Sequence, residues 1–353
     1  MTRLIHAGFA AAAMLATLFA AGAASAAPNT GSIAVSFSPL TLGSSSTATI
    51  HVSVPQSTDS IAVVNIFTGT TNVNLGTPGT QIGSVEATAL AHDADLNLPL
   101  SGPVTADDPA KHTTDACSPG QNQAVWLMNL SAPGQTLPIP IYVNKTSGPT
   151  AALGAYNLKI CLPPWDTPVG SPGRSFKGAQ LLDAKLTLNK ILVAPTSAGV
   201  GTFEALFMPY VPGKGTPNPA GTFEARAAVP VPAAIGIKAS YRKKTKTWTL
   251  SGKVTEGGLP LPSSTTLTLF RATSAGSLKK VGSVQAAAGG SWKASGRLTG
   301  KKTTYFQVST AVGEREYTSL GCQSPQTALA PAGCVSATLS PWSAKSAVVH
   351  VKP

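Results

Sequence analysis

Charged side chains are scarce in this 353-residue chain: they make up 11% of its residues, and only 14 of them are acidic. The G-x-S-x-G motif, which places a nucleophilic serine on a sharp turn, is absent. A segment similar to a phosphate-binding loop, residues 296–301, is one residue too short. No long amphipathic helical pattern occurs either. These absences argue against a serine hydrolase of that type, a P-loop protein and a mainly helical fold.

The chain has only four cysteines, Cys117, Cys161, Cys322 and Cys334, and no C-x-x-C pair. Their wide spacing argues against a zinc thiolate site. An even number of cysteines in an exported chain indicates disulfides, and three pairings are possible. We expect Cys117–Cys161 and Cys322–Cys334, because each bridge then stays within one half of the chain. No free thiolate would remain for nucleophilic catalysis.

One apolar run, at the N-terminus, is long enough to direct export. Arg3 precedes this run, which covers residues 4–24, and Ala24-Ser25-Ala26 has the small-residue pattern of a signal-peptidase site. We therefore expect a signal peptide at residues 1–26 and a secreted protein, extracellular or associated with the cell envelope, rather than an uncleaved membrane anchor. No other segment is apolar enough to cross a bilayer, so we expect no transmembrane span in the mature chain.

Glycine (34 residues) and proline (29 residues) are abundant, and between them lie short stretches in which apolar and polar residues alternate. A period of two is typical of strands with one buried and one solvated face, and the Gly and Pro residues indicate turns. The clearest case is residues 247–255, where Trp248, Leu250 and Val254 share one face. We predict an all-β protein with two β-sandwich domains.

The predicted domain boundary follows a short internal repeat. Residues 201–205 and 221–225 both read Gly-Thr-Phe-Glu-Ala, and we expect them to form the two arms of an antiparallel hairpin. That hairpin would complete a first β-sandwich domain, residues 27–232, which also contains an acidic loop. Residues 233–353 would form a second, basic domain with about seven strands.

The second domain resembles the bacterial immunoglobulin-like modules of secreted and cell-surface proteins. The similarity rests on W-x-L-x-G-x-V at residues 248–254, G-x-P-L-P at 258–262 and T-L-x-L-F at 266–270. Tyr305 resembles the residue of a tyrosine corner, whose hydroxyl bonds to upstream backbone. Gln307 stands where antibody-type modules have their second inter-sheet cysteine. The resemblance implies an immunoglobulin-like sandwich for this domain, whereas the first domain resembles no named family.

Positive charge is concentrated in the second domain. From Ile235 onward the chain has 16 Lys and Arg residues and three acidic residues, a net charge of +13. Residues 27–234 have a net charge of −2. Half of these cations form three clusters: Arg242, Lys243, Lys244 and Lys246; Lys279 and Lys280; Lys301 and Lys302. Such cations either keep sheet edges from pairing or attract an anionic surface. The expected partners are anionic cell-wall polymer, acidic polysaccharide, lipid headgroups or a surface protein, and not intracellular nucleic acid.

Negative charge is concentrated in residues 92–115, which hold five of the eight aspartates. Asp93, Asp95 and Asn97 have the alternate spacing of a calcium-binding loop, although a leucine and a valine replace the turn glycine and the bidentate glutamate of an EF-hand. The alternative is a solvated loop over residues 90–117 whose aspartates cap turns. No cofactor is expected other than weakly bound Ca²⁺.

Two tryptophans, Trp165 and Trp342, are expected in loops beside prolines, where they either stack on sugars or anchor the loop. Taken together, the sequence favours a secreted, non-catalytic binding or structural module at the cell surface, with a role such as adhesion. Its basic domain would contact anionic polymer or the envelope. The alternative is a polysaccharide-active enzyme with a β-sandwich anchor domain, because paired carboxylates can meet without a sequence motif.

Overall fold

The structure is a computed structural model that describes residues 29–132, 135–262, 264–318 and 336–353. Within these ranges the chain forms 23 β-strands and four short 3₁₀ segments, Pro109–His112, Gly148–Ala152, Phe176–Gly178 and Pro219–Gly221. None of the helical segments described is long and apolar enough to cross a membrane. The prediction of an all-β fold is confirmed.

The first twelve strands all lie in one large sheet. They are β1 (Ser32–Ser38), β2 (Ser45–Ser53), β3 (Ile61–Phe67), β4 (Asn72–Val73), β5 (Gln81–Ala91), β6 (Leu96–Asp107), β7 (Ala124–Ala132), β8 (Gln135–Lys145), β9 (Tyr156–Cys161), β10 (Ala179–Val193), β11 (Gly199–Pro209) and β12 (Phe223–Val231). Their order is β1-β2-β10-β5-β6-β7-β8-β9-β3-β11-β12, with β4 paired to β10. All of these neighbours are antiparallel.

The large sheet curls until its first strand faces its last ones. Phe37 on β1 lies against Phe203 on β11, with 5.9 Å between the ring centroids. Buried and accessible residues alternate along β1, so that Ile33, Val35 and Phe37 are buried and the residues between them are not. One continuous apolar core therefore lines the inside of the curled sheet and extends into the C-terminal part of the chain.

The long loop predicted for residues 90–117 is wrong. Residues 96–107 of this range form strand β6, which pairs with β5 on one side and β7 on the other. Pro99 and Pro103 obscure this strand in the sequence, because proline donates no ladder hydrogen bond and is rare in central strands. Gly102 weakens the signal further, but the sheet requires it, since a Cβ there would lie 1.8 Å from the Asn129 carbonyl oxygen.

Two other expectations for this half of the chain are confirmed. The repeat forms a hairpin, in which β11 and β12 pair and Phe207 stands opposite Phe223 with stacked rings. A disulfide joins Cys117 to Cys161. The other two cysteines lie outside the described residues, so their pairing stays a prediction.

Eleven further strands follow. They are β13 (Ala233–Ile235), β14 (Lys238–Arg242), β15 (Thr247–Glu256), β16 (Thr266–Ala272), β17 (Lys279–Gln285), β18 (Ser291–Arg297), β19 (Thr304–Val312), β20 (Arg315–Thr318), β21 (Ser336–Leu339), β22 (Trp342–Lys345) and β23 (Val349–Val351). Nine of them form two small sheets. In one sheet, strands β13, β14 and β18 all pair with β15. The other sheet has the order β17-β16-β19-β22, and β23 also pairs with β19.

The two small sheets face each other as a sandwich. Trp248 on β15 packs against Phe306 on β19, with 4.8 Å between the ring centroids. Strands β15 and β16, which follow each other in the sequence, therefore lie in opposite sheets. The predicted sandwich is confirmed, with nine strands instead of about seven.

Strands β20 and β21 join the large sheet instead of the small ones. β21 pairs in parallel with β12, where Leu339 stands opposite Ala228, and β20 pairs with β21. The chain then returns to the small sheets at β22. Segments from both halves of the sequence therefore share one sheet. The proposed division into residues 27–232 and 233–353 stays a prediction.

Candidate functional site

The predicted cationic clusters lie on turns and strand ends at one end of the C-terminal sandwich. The first turn joins β14 to β15: Arg242 pairs with Thr247, which in turn pairs with Arg297 at the end of β18. Lys246 has a φ of 53°, in the left-handed region, and so reverses the chain tightly. Its carbonyl accepts a hydrogen bond from the Leu298 N–H at 2.9 Å. This bond holds the first turn against the loop that follows β18.

The opposite sheet brings its cations to the same end. Lys279 begins β17 and pairs with Arg271 near the end of β16. Ala272 then pairs with Tyr305, the second residue of β19. Directly before β19 comes the loop from β18, which carries residues 301–302 and connects the two sheets at this end.

Eleven exposed cations thus share one end of the sandwich, which we name the basic pole. They are Arg242, Lys243, Lys244, Lys246, Arg271, Lys279, Lys280, Arg297, Lys301, Lys302 and Lys352. Sequence clusters identify eight of them, but Arg271, Arg297 and Lys352 are isolated in the sequence. Strand pairing places these three; Lys352, for example, follows Val351, which pairs with Thr304 at the start of β19. Their position at strand ends is the signal that could have identified them.

The acids of this part of the chain lie at the other end. Glu256 is the last residue of β15, Glu314 follows the end of β19, and Glu316 lies in β20. The ten residues of β15 span about 30 Å, whereas salt at about 0.1 M screens charge over roughly 10 Å. These carboxylates therefore do not neutralise the basic pole.

None of the eleven cations forms an ion pair in the described residues, which include all 14 acidic side chains of the chain. Clustered and unpaired charge of one sign produces a potential that attracts counter-ions and raises association rates with anionic partners. Chemically, the basic pole can hold several anionic groups at once.

The predicted calcium ligands lie on the turn between β5 and β6 and on the start of β6. Both carboxylate oxygens of Asp93 accept hydrogen bonds from Arg174, at 2.8 and 2.7 Å. These bonds lower the pKa of Asp93. Asp95 supports the turn with a φ of 47°, and Asn97 is exposed. In the described ranges no group of three His, Cys, Asp or Glu side chains could hold a metal ion. The calcium site stays a prediction, and a bound ion would have to displace Arg174.

A polar network at the end of β6 was not predicted from the sequence. His112 contacts Asp107 through Nε2 at 3.1 Å and Asp115 through Nδ1 at 2.7 Å. The Tyr142 hydroxyl donates to Asp115 at 2.7 Å. The network fixes the segment after β6 against β8, a structural role.

Protonation in this network follows from its hydrogen bonds. Burial would lower the pKa of His112, but its bonds to Asp115 and Asp107 outweigh burial, so the pKa is raised. The hydrogen bond from His112, followed by the Asp108 N–H, lowers the pKa of Asp107 to about 2. Bonds from Tyr142 and His112 also lower the pKa of Asp115. At neutral pH both aspartates are therefore ionised.

The two tryptophans expected in loops differ from each other. The loop position predicted for Trp342 is wrong: it lies buried in β22, and its Nε1 donates to Glu256 at 2.6 Å. Trp165 does lie in a loop, where it stacks on His92 with 3.8 Å between the ring centroids. The Trp342 indole is therefore enclosed, and one face of the Trp165 ring is covered by His92.

Comparison with known proteins gives no family. No protein-family model matches the chain, and no curated protein matches it. Among solved structures, domains D2 and D3 of the major pilin SpaD from Corynebacterium diphtheriae align over 79% of this chain and 81% of that chain. The sequence identity is 13% and the TM-score is 0.23, a value at which the likeness carries no argument.

Proposed function

We propose that this chain is a secreted, non-catalytic module of the cell surface whose basic pole binds an anionic polymer, such as an acidic cell-wall polysaccharide. One observation carries the proposal: eleven exposed cations share one end of a sandwich and have no carboxylate partner in the described residues. They are spread over three connections and the last strand. A repeating anion suits this spread better than a single small anion, because it can contact several turns at once.

The immunoglobulin-like assignment of the C-terminal sandwich belongs to the same proposal. The orders β14-β15-β18 and β17-β16-β19-β22 correspond to the A-B-E and C′-C-F-G orders of that fold. Sandwiches of this type carry their contact residues on loops at one end. By this correspondence the basic pole is built from the A–B, C–C′ and E–F connections, at the end opposite the B–C, C′–C″ and F–G loops that make the contacts of variable domains. The proposed binding therefore rests on the charge of the pole and not on that likeness.

The alternative, a polysaccharide-active enzyme, requires two carboxylates that face one substrate. Glu224 and Glu316 line one shallow depression of about 300 Å³. Arg226 lines it as well and donates to Glu224 at 2.9 Å, which favours an ion-pair role for that carboxylate. If the wild-type chain released oligosaccharide from a bound polymer and the Glu316→Gln variant did not, this result would support the enzyme instead.

The test compares two full-length variants with the same change in charge. Lys243→Glu with Lys301→Glu alters the basic pole, and Lys253→Glu with Lys345→Glu alters exposed lysines elsewhere on the sandwich. The probes are a polyuronate and a poly(glycerol phosphate), with neutral dextran as the blank. We expect the pole variant to bind at least about tenfold more weakly and the control to stay within about twofold of the wild type. Equal losses in both variants would contradict a localised site.

A further inference from the structure

An apolar cavity of about 280 Å³ lies inside the curled large sheet, far in sequence from the basic pole. Strands β5 to β8 and β10 form its walls, and the loop of residues 163–178 borders it. Its aliphatic lining includes Ala89, Leu98, Leu100, Leu130, Ile139 and Leu181. No charged side chain lines it. The site is therefore independent of the proposed polymer binding.

The cavity opens to the surface, where Phe176 and Pro138 of its lining are exposed, so it is an accessible cleft and not a packing defect. An engineered apolar cavity of about 150 Å³ stays dry and binds benzene, which has six heavy atoms. By the same proportion, this cavity holds about a dozen non-hydrogen atoms. Apolar walls also disfavour sugars and inorganic anions, which would lose hydration without compensation.

A row of apolar side chains leads from the surface into the cavity. Leu96, Leu98 and Leu100 share one face of β6, and their exposure falls from 54% at Leu96 to 7% at Leu100. Phe176 lines the cavity from the bordering loop and is 50% exposed. An open apolar track of this kind suits a flexible chain that enters lengthwise.

Two lining side chains have polar atoms without a partner. The Nε1 of Trp165 and the Oγ of Ser175 are buried, and neither has a hydrogen-bond partner in the described residues. Each of these atoms has less than 1 Å² of accessible surface, so neither is open to the cavity, and the pair reports on the packing of the loop instead of a ligand contact. Stacking on His92 fixes the Trp165 ring, and His92 is in turn held by Gln180 at 2.8 Å.

We propose that this cavity binds a single-chain amphiphile: an acyl chain of about ten carbons whose polar head lies at the open end of the cavity, beside Phe176. Lys177 stands next to Phe176, is exposed, and forms no ion pair in the described residues. It can balance the charge of a carboxylate head.

Calorimetric titration of the full chain with decanoic acid tests the proposal, and methyl decanoate separates the contribution of the charge. Ala89→Leu fills the cavity, and Phe176→Glu places a charge at its opening. Val169→Glu is the matched control for the second variant, because Val169 lies in the same loop, is 82% exposed and does not line the cavity. We expect one decanoate per chain, at least about tenfold weaker binding in both cavity variants, and unchanged binding in Val169→Glu.

The Tm of each variant without ligand shows whether a loss of binding comes from the cavity or from misfolding. Ala89→Leu should leave Tm unchanged or raise it, because it fills empty space. Ala87→Leu on the same strand should lower Tm, because Ala87 is buried outside the cavity and the added atoms overpack the core. Absence of decanoate binding by folded wild-type chain, or full binding by folded Ala89→Leu, would overturn the proposal. So would binding to phosphatidylcholine vesicles without binding of decanoate, since that result would assign the apolar track to a bilayer surface.

Discussion

The guanidinium of Arg315 forms two hydrogen bonds to the carboxylate of Glu256, at 2.7 and 2.6 Å. The Glu256 side chain is fully buried, whereas that of Arg315 is 26% exposed. Trp342 donates a further hydrogen bond to the same carboxylate. The pair connects β15 of the C-terminal sandwich with β20, which belongs to the large sheet. It therefore ties the two sheet systems together by a buried charge.

The unequal exposure of this pair predicts unequal effects of mutation. Arg315→Leu leaves a buried carboxylate with only Trp342 as a partner and should lower the free energy of unfolding by about 3–5 kcal/mol. Glu256→Gln leaves an arginine that reaches solvent, and should cost about 1–2 kcal/mol. Denaturant unfolding of the full chain measures both. A larger cost for Glu256→Gln than for Arg315→Leu would contradict this explanation. A double variant with apolar residues at both positions 256 and 315 should recover part of the stability that Arg315→Leu loses.

Much of the fold could be predicted from the sequence, because alternation directly reports a buried face. Trp248 and Leu250 show that pattern and are buried on β15. Proline and glycine hid β6 from the same reasoning. Which strands become neighbours could not be predicted, since pairing depends on contacts distant in sequence. Glu256 and Arg315 are 59 residues apart, and no local pattern joins them.

The candidate site was predictable to the extent that it is local. Three runs of consecutive lysines and arginines mark turns in the sequence, whereas isolated Arg271 and Arg297 join the basic pole only through strand pairing. The apolar cavity left no such signal. Its lining comes from several strands and one loop that are separate in the sequence, and each of those strands resembles an ordinary core strand. Polar partners such as Asp115 and Tyr142 are likewise distant in sequence.

The His112 network predicts a pH window of stability. Because the pKa of His112 is raised on folding, its contribution is complete below the unfolded value of about 6.5 and is lost as pH rises through the folded value. Because the pKa of Asp107 is lowered to about 2, its contribution is present above about 3.8 and is lost as pH falls toward 2. The network should therefore stabilise most between about pH 4 and 6.5.

His112→Gln measures this contribution. The difference in unfolding free energy between wild type and variant should be about 1–2 kcal/mol near pH 5.5 and smaller near pH 8.5. His51→Gln is the control, since His51 is more exposed and contacts one carboxylate, Asp183. A difference that does not change with pH would show that His112 acts without its charge.

The Cys117–Cys161 disulfide should contribute strongly to stability. It closes a loop with a sequence separation of 44, for which chain entropy predicts about 4 kcal/mol. Replacement of both cysteines by serine should lower the free energy of unfolding by about this amount in denaturant titration. A loss below about 1 kcal/mol would indicate that the unfolded chain is already restricted in this segment.

Salt dependence tests the proposed binding at the basic pole most directly. The dissociation constant of the full chain for a polyuronate should be measured between about 0.05 and 0.3 M NaCl, for the wild type and for Lys243→Ala with Lys301→Ala. We predict that wild-type binding weakens steeply as salt increases, and that the slope of log Kd against log salt concentration becomes shallower in the variant. An affinity that does not change with salt, or an unchanged slope in the variant, would contradict electrostatic binding at the basic pole.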